Sequence, residues 1–325
     1  MPETWSASSP CAKARARGAG TPVASARQHG AALILAMLTV SLATLLAAAV
    51  LEDFGFAYEV HAGRYEQSQS RQLALGAIDW SRNVLAEDQR TSSSDHLDEA
   101  WAIEIPPTPI SEDATDGTIG GRIVDLSGRF NLNALLPSNR LRSTARLRAE
   151  RLFALVLEGP VQAAMLVAQL QHYLDRGATD ADRDARLARH RGRPLANAEE
   201  LRRIPGFSAD IIGRLMPHVT AVPENHPINA NTATAEVLAA MVDGLELNAA
   251  RVLVAERERL WYRNLGDFAA RLGTELAAPG DGSIDVRSRY FLVSVQASHG
   301  HSITRLEALL DREQTWPTIL WYRNR

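Results

Sequence analysis

"RQHGAALILAMLTV", Arg27–Val40, joins a basic tract to an apolar one through a single glycine, Gly30. The residues beyond that glycine decide the architecture. The run Ala31–Leu51 holds 21 residues without a charge. A helix of that length reaches roughly 30 Å, the hydrocarbon thickness of a bilayer. Lys13, Arg15, Arg17 and Arg27 precede it against Glu3 alone, and Glu52 and Asp53 come after it. A positive N-terminal flank stays in the cytoplasm and sends the rest of the chain across. Three uses of the run fit this pattern. It is a secretory signal cut at small residues in "AAAVLED", an uncut anchor, or a helix kept after a cut on the cytoplasmic side, behind Gly30.

The next residues separate these uses. No proline interrupts Phe54 to Asp88, and Leu73, Ala77, Trp80 and Val84 recur at helical spacing, with Ala74, Ile78 and Leu85 beside them. A membrane helix therefore runs on into an amphipathic helix whose far half packs against a folded body. Neither a cleaved signal nor a simple anchor requires that continuity.

The chain has 325 residues, 46% of them apolar, which is enough to bury a core and excludes disorder throughout. Its formal charge is −3; residues 1–30 carry +3, so the remainder carries −6. An acidic body is a poor partner for nucleic acid, whose affinity comes largely from neutralising phosphates. Cys11 is the sole cysteine and lies in the basic segment, so the body forms no disulfide of its own.

Beyond the helix, "RTSSSDHLDEAW" (90–101) breaks the helical pattern and "PPTPISEDATDG" (106–117) reads as loop. In "GGRIVDLSGRFNLNALLPSN" (120–139), apolar residues flank Ser127–Gly128, the pattern of a β-hairpin. From Leu141 to about Leu276 the pattern is helical. One helix ends at Gly159–Pro160 and the next at Gly177. β character returns in "RSRYFLVSVQASHGHSITRLEALLDRE", with a turn at His299–Gly300, and in a final "TILWYRN". Strands, a helical insert and further strands laid on a long helix make an α+β fold.

Inside the helical block "AEELRRIPGFSADIIGRL" (198–215) aligns with "AEVLAAMVDGLELNAARVL" (235–253). Each reads as helix, short turn, helix, a unit that resembles the helix-hairpin-helix module. In copies that bind DNA a glycine-rich hairpin offers backbone N–H groups to phosphate. Here the first hairpin, Pro205-Gly206-Phe207, lacks a second glycine, and Asp243 and Glu246 would repel phosphate at the second. The unit reads as a packing scaffold.

In this order, the Gly30/Ala31 junction, "DHLDEAW" (95–101), "GRIVDLSGRFNLNALL", "PINANTATAEVLAAM" and the C-terminal β-turn-β make the chain resemble the K-type minor pseudopilins of type II secretion systems. The resemblance covers nearly all of 28–325. It implies a cytoplasmic leader at 1–30, cleaved after Gly30 by the prepilin peptidase, with N-methylation of Ala31. It further implies a transmembrane helix at 31–51, its periplasmic continuation at 52–90, a pilin-like antiparallel sheet from 91–139 and 278–325, and an inserted α-helical domain at 140–277. Most pilin-like subunits carry a glutamate five residues into the mature chain, where this sequence has Leu35. That carboxylate is expensive in an apolar bundle unless a neighbour's N-terminal amine pairs with it. A subunit at the tip has no neighbour above it, and Leu35 agrees with that place.

The function implied is non-enzymatic. The subunit initiates or caps the pseudopilus with the I-type and J-type minor pseudopilins, and aids export of folded proteins across the outer membrane. Exported proteins and the outer-membrane secretin are further partners, and nucleic acid is not. The body sits in the periplasm, tethered to the inner membrane by one span, with a cytoplasmic N-terminus. The alternative is a membrane-anchored helix-hairpin-helix protein that binds DNA during uptake. No G-x-S-x-G, H-E-x-x-H or P-loop occurs. The resemblance also implies a calcium ion in the helical block, and "YLDRGATDADRDAR" offers Asp175, Asp180, Asp182 and Asp184 as hard oxygen ligands. Ala185 and Arg191 stand where an EF-hand needs glycine and glutamate, and Arg176, Arg183 and Arg186 could neutralise these acids instead.

Overall fold

Helix α1 (Gln28–Thr91) runs unbroken through the apolar run and the amphipathic stretch, as the absence of proline there predicts. The computed structural model describes residues 28–111, 117–176, 193–273, 276 and 278–325. Most of the leader and the helix end expected at Gly177 lie outside the described residues. These form two compact units, one ending at Ala62 and one spanning Gly63–Arg325. In the first, every side chain from Gly30 to Glu59 is exposed.

In the second unit α1 leads to strands β1 (Ile105–Pro109), β2 (Thr118–Asp125) and the two-residue β3 (Phe130–Asn131). Helices α2 (Arg142–Leu157), α3 (Pro160–Arg176) and α4 (Ala209–Leu215) come next, with a 3₁₀ helix at Ala198–Arg203. The short β4 (Val219–Thr220) and β5 (Ile228–Asn229) lead to α5 (Ala235–Met241), α6 (Leu247–Arg257) and α7 (Leu265–Arg271). Strand β6 (Ile284–Asp285) then precedes β7 (Tyr290–His299), β8 (Ser302–Asp311) and β9 (Thr318–Asn324). One antiparallel sheet orders five of the strands β1-β2-β7-β8-β9. The fold is α+β. In chain order the sheet strands come before and after the helical block, yet they form one sheet.

Three hydrophobic clusters divide this unit, the smallest formed by Leu126, Val222, Tyr290 and Leu309. The sheet packs on α1 through Ala74, Ile78, Leu85, Phe291, Val293 and Leu306. The helical block buries a larger cluster around Leu152, Phe153, Leu170, Leu238 and Tyr262. Ser208, Thr234 and Asn264 cap α4, α5 and α7 by accepting hydrogen bonds from backbone N–H groups in the first turns.

Several sequence expectations need correction. On α1, Ala74, Ile78 and Leu85 are buried and Leu73, Ala77 and Val84 pack against the same core, but Trp80 stays 53% exposed, and Ser70 and Ser81 join the buried face. An apolar count passes over the two serines. They tolerate burial because Ser70 Oγ shares a hydrogen bond with Thr304 (2.7 Å) and Ser81 Oγ donates to the Ala77 carbonyl (2.8 Å). Ser127–Gly128 is not a hairpin turn. β2 pairs with β7, while β3 pairs parallel with β4 in the helical block. Gly128 is needed because a Cβ there would lie 2.7 Å from the Thr232 backbone carbon. The first helix-hairpin-helix repeat opens on the 3₁₀ helix, so only the second is helical on both sides. α2 stops at Glu158, which takes the left-handed conformation (φ 57°), and Pro160 already begins α3. The β7–β8 turn lies at Gly300–His301, one residue later than expected.

Candidate functional site: an apolar helix and a polar junction

The uncharged run after Gly30 suits lipid on more than composition. Thr39 and Thr44 return their hydroxyl hydrogens to the carbonyls of Ala36 (2.9 Å) and Ser41 (2.8 Å), so neither donor needs water. The helix is long and apolar enough to cross a membrane. Leu35 is 62% exposed among exposed leucines, and a Cβ on Gly30 would meet nothing within 4 Å.

The motifs that stood out in the sequence converge elsewhere, on a buried polar junction between sheet and helical block. Asparagines do most of the fastening. Asn131 donates to the carbonyls of Val222 and Glu224 and accepts from the Val222 N–H. Asn133 exchanges two hydrogen bonds with the Leu195 backbone (3.0 and 2.8 Å), and Asn231 does the same with Tyr262 (2.9 and 2.8 Å). Asn229 donates to the Asp95 carbonyl (3.0 Å) and to Ser288 Oγ (2.6 Å). An amide side chain carries a donor and an acceptor side by side, so it can replace a strand partner for one residue. That explains why "NLN" and "NAN" recur.

"DHLDEAW" forms the other wall. Asp95 accepts from the Ser288 N–H (2.7 Å) and from Arg312. His96 stacks on Trp261 with ring centres 3.9 Å apart. Glu99 accepts from the His96 N–H (3.0 Å) and from Trp101 Nε1 (2.7 Å). The Trp101 ring thereby enters the sheet core edge-on to Phe291. Asp125 is buried, accepting from Ser288 Oγ (2.6 Å), Thr232 Oγ1 and the Ser127 N–H (2.7 Å). Its burial pushes the carboxyl pKa up, against the pull of those three hydrogen bonds.

Asp88, near the end of α1, completes the junction through Arg312 (2.8 Å). Its pKa is raised to about 7, first by burial and then by the charges of Glu99 and Asp95, with Arg312 opposing. Among the described residues, Asp88, Asp95 and Glu99 are the acids whose ligand oxygens come within 4.8 Å of one another. A guanidinium already sits on two of them. The arrangement is a clamp, with its acids and amides spent on holding distant backbone segments together. Sequence reasoning missed Arg312, Ser288 and Asp88, which come from separate elements and share no local pattern.

Of the four aspartates offered to calcium, Asp175 has both carboxylate oxygens on Arg142 Nη2, at 2.8 and 2.9 Å. A cation there would have to displace that guanidinium. Asp180, Asp182 and Asp184 lie outside the described residues.

Two family models described as type II secretion system (T2SS), protein K, match residues 128–224 and 228–287. These spans hold the asparagine clamps and the helical block. Type II secretion system protein K of Pseudomonas aeruginosa is 32% identical over 300 residues, covering 87% of this chain and 89% of the relative. The protein K of Klebsiella pneumoniae is 27% identical over 312 residues, covering 88% and 93%. The fold is similar to that in the crystal structure of the GspK-GspI-GspJ complex from the enterotoxigenic Escherichia coli type 2 secretion system. The TM-score is 0.65 at 20% identity, over 82% of this chain and 99% of that one.

Proposed function

This chain belongs to the type II secretion system protein K family, and from that premise we propose that it is a non-enzymatic minor pseudopilin at the tip of the secretion pseudopilus. There it would initiate or cap assembly with the I-type and J-type minor pseudopilins, as the relative of known structure is found in complex with GspI and GspJ. The observation that carries this reading is α1. A single helix offers lipid an uncharged, exposed run at one end and supplies the core of the sheet body at the other. A leader ending at Gly30 and cut by the prepilin peptidase, with N-methylation of Ala31, belongs to the same proposal. So do an inner-membrane span at 31–51, a periplasmic body divided at 140–277 into sheet and helical insert, and contacts with exported proteins and the secretin. A calcium ion, if bound, would take Asp180, Asp182 and Asp184, and Asp175 only on leaving Arg142.

The test is genetic and biochemical. Cells lacking the chain should fail to secrete a known exoprotein, and the parent chain should restore secretion. Leu35→Glu places an unpaired carboxylate in the apolar run at a cost on the order of a few kcal/mol. It should weaken insertion or co-purification of the other minor pseudopilins. If Leu35→Glu secretes better than the parent and enters the fibre shaft in many copies, the tip placement is wrong.

A further inference from the structure

Both arginines of "GRIVDLSGRF" remain after the junction is accounted for. Arg122 lies on β2 opposite Ser294 of β7, which lies opposite Glu307 of β8, which lies opposite Arg323 of β9. The four form a row across the sheet. Neighbours along such a row interact directly. Glu307 is buried and holds Arg323 (2.9 Å) and Arg325 (2.8 Å), and Arg323 also reaches Glu199 of the 3₁₀ helix (3.2 Å). Arg122, at the far end of the row, has no carboxylate within salt-bridge distance among the described residues.

Arg129 lines the same cavity as Arg122. Its Nη1 donates to the Met216 carbonyl (3.3 Å), and among the described residues it too has no carboxylate within salt-bridge distance. Burial lowers its pKa most and the charge of Arg122 lowers it further, against the field of the buried Asp125. Arg129 is thus partly desolvated within the field of a second, exposed guanidinium, Arg122, in a body whose net charge is negative. The cavity that both line, of about 190 Å³, lies between the outer sheet face and the 3₁₀ helix and is floored by Leu292, Leu309 and Trp321. Four arginines, Arg122, Arg129, Arg323 and Arg325, line it with two acids, Glu199 and Glu307.

We propose that this cleft is a docking site for a carboxylate-bearing segment of another pilin-like subunit, whose acid pairs with Arg122 and Arg129. The inference rests on the reading that this chain assembles with such subunits. Charge complementarity selects the acid. The depth of Arg129 selects a permanent subunit over assorted exported proteins, because a half-buried guanidinium pairs well only with a carboxylate held at one fixed position. The bidentate geometry of the guanidinium also makes lysine an incomplete substitute.

The experiment uses the full chain, tagged, co-expressed with the other pilin-like subunits and purified from detergent-solubilised membranes. Parent chain should recover them, and recovery should fall between about 0.05 M and 0.3 M salt as the pairing is screened. Arg122→Glu, at an exposed strand position, should cut recovery about tenfold and abolish the salt dependence; Arg129→Gln should do likewise, and Arg122→Lys should retain part. Arg251→Glu, on the exposed face of α6, should match the parent. If the parent recovers the subunits and Arg122→Glu and Arg129→Gln recover them equally at every salt, the docking site is refuted while the assembly role stands. If the parent recovers none, both fall. Arginine-dependent capture of an exported protein without the subunits also overturns the proposal.

Discussion

Replacing Asp88 by asparagine isolates the electrostatics of the junction. In the folded chain the Asp88 carboxyl titrates at about 7, against an ordinary value of 3.8. The fold therefore binds this proton more tightly than the unfolded chain does. The stabilisation is complete below about pH 4 and disappears as the pH rises through about 7. A shift of about three units corresponds to about 4 kcal/mol at most. The bond to Arg312 and the solvent on the carboxylate's outer side reduce this to roughly 1–2 kcal/mol. An asparagine side chain cannot ionise, yet its carbonyl oxygen still accepts from Arg312. Below about pH 4 the two proteins should be about equally stable, and near pH 8 Asp88→Asn should be the more stable by roughly 1–2 kcal/mol, with the gap opening between the two. His226, whose pKa burial depresses to about 4, acts in the opposite sense, losing its contribution as the pH falls below its ordinary value. It does so in both proteins, and cancels in the difference. The assay is urea unfolding of the full chain in detergent micelles at several pH values, monitored by tryptophan fluorescence. Parallel stability profiles for parent and variant would refute the assignment of the raised pKa to Asp88.

The other consequences are more direct. Intact mass and N-terminal sequencing should place the mature start at Ala31, and Gly30→Val should leave the precursor uncut; a start near Glu52 would show a secretory signal. Trp101→Ala empties a site that is 2% exposed and strips Glu99 of its indole donor, so it should cost about 3–5 kcal/mol in chemical denaturation. Millimolar calcium should raise the melting temperature of the parent by mass action, and Asp180→Ala with Asp182→Ala should abolish the rise. No calcium-dependent shift in the parent would remove the metal site.

How far the sequence could be read depended on the range of the interaction. The helix from Gly30 to the end of α1 was legible because a missing proline and an uncharged run are local facts. β7, β8 and β9 were legible because alternation and short turns are local too. The hairpin expected at Ser127–Gly128 failed because apolar residues on either side of a turn signal do not say what they pair with. β2 had its partner far along the chain in β7, beyond the whole helical block, and β3 found β4. The apolar face of α1 was legible apart from Trp80, but Ser70 and Ser81 were passed over because their burial depends on hydroxyls satisfied on a strand or on the helix itself. Asp95, Glu99 and Asp125 lay in motifs that stood out, but Asp88 and Arg312 gave no signal. Arg312 stands at the end of a strand among many arginines, and nothing local marks it as the partner of both Asp88 and Asp95.

Those long-range bonds also limit how the insert can be treated. By strand order the helical block interrupts a sheet that could close without it, because β2 pairs directly with β7. The hydrogen bonds argue otherwise. Asn229, from within the block, donates to the Asp95 carbonyl and to Ser288, and Thr232 donates to Asp125. Excising the block would leave Asp125, Ser288 and the Asp95 carbonyl with part of their bonding unmade, in positions now shielded from water. It would also remove Trp261 from the face of His96, and Tyr262 with its two bonds to Asn231. The asparagines on the sheet side would fare no better, since Asn131 and Asn133 spend their amides on Val222, Glu224 and Leu195. Sheet and insert are separable in chain topology and inseparable in their polar bonding. The motifs "DHLDEAW", "GRFNLNALL" and "PINANTATAEVL" are what that dependence looks like when written along one chain.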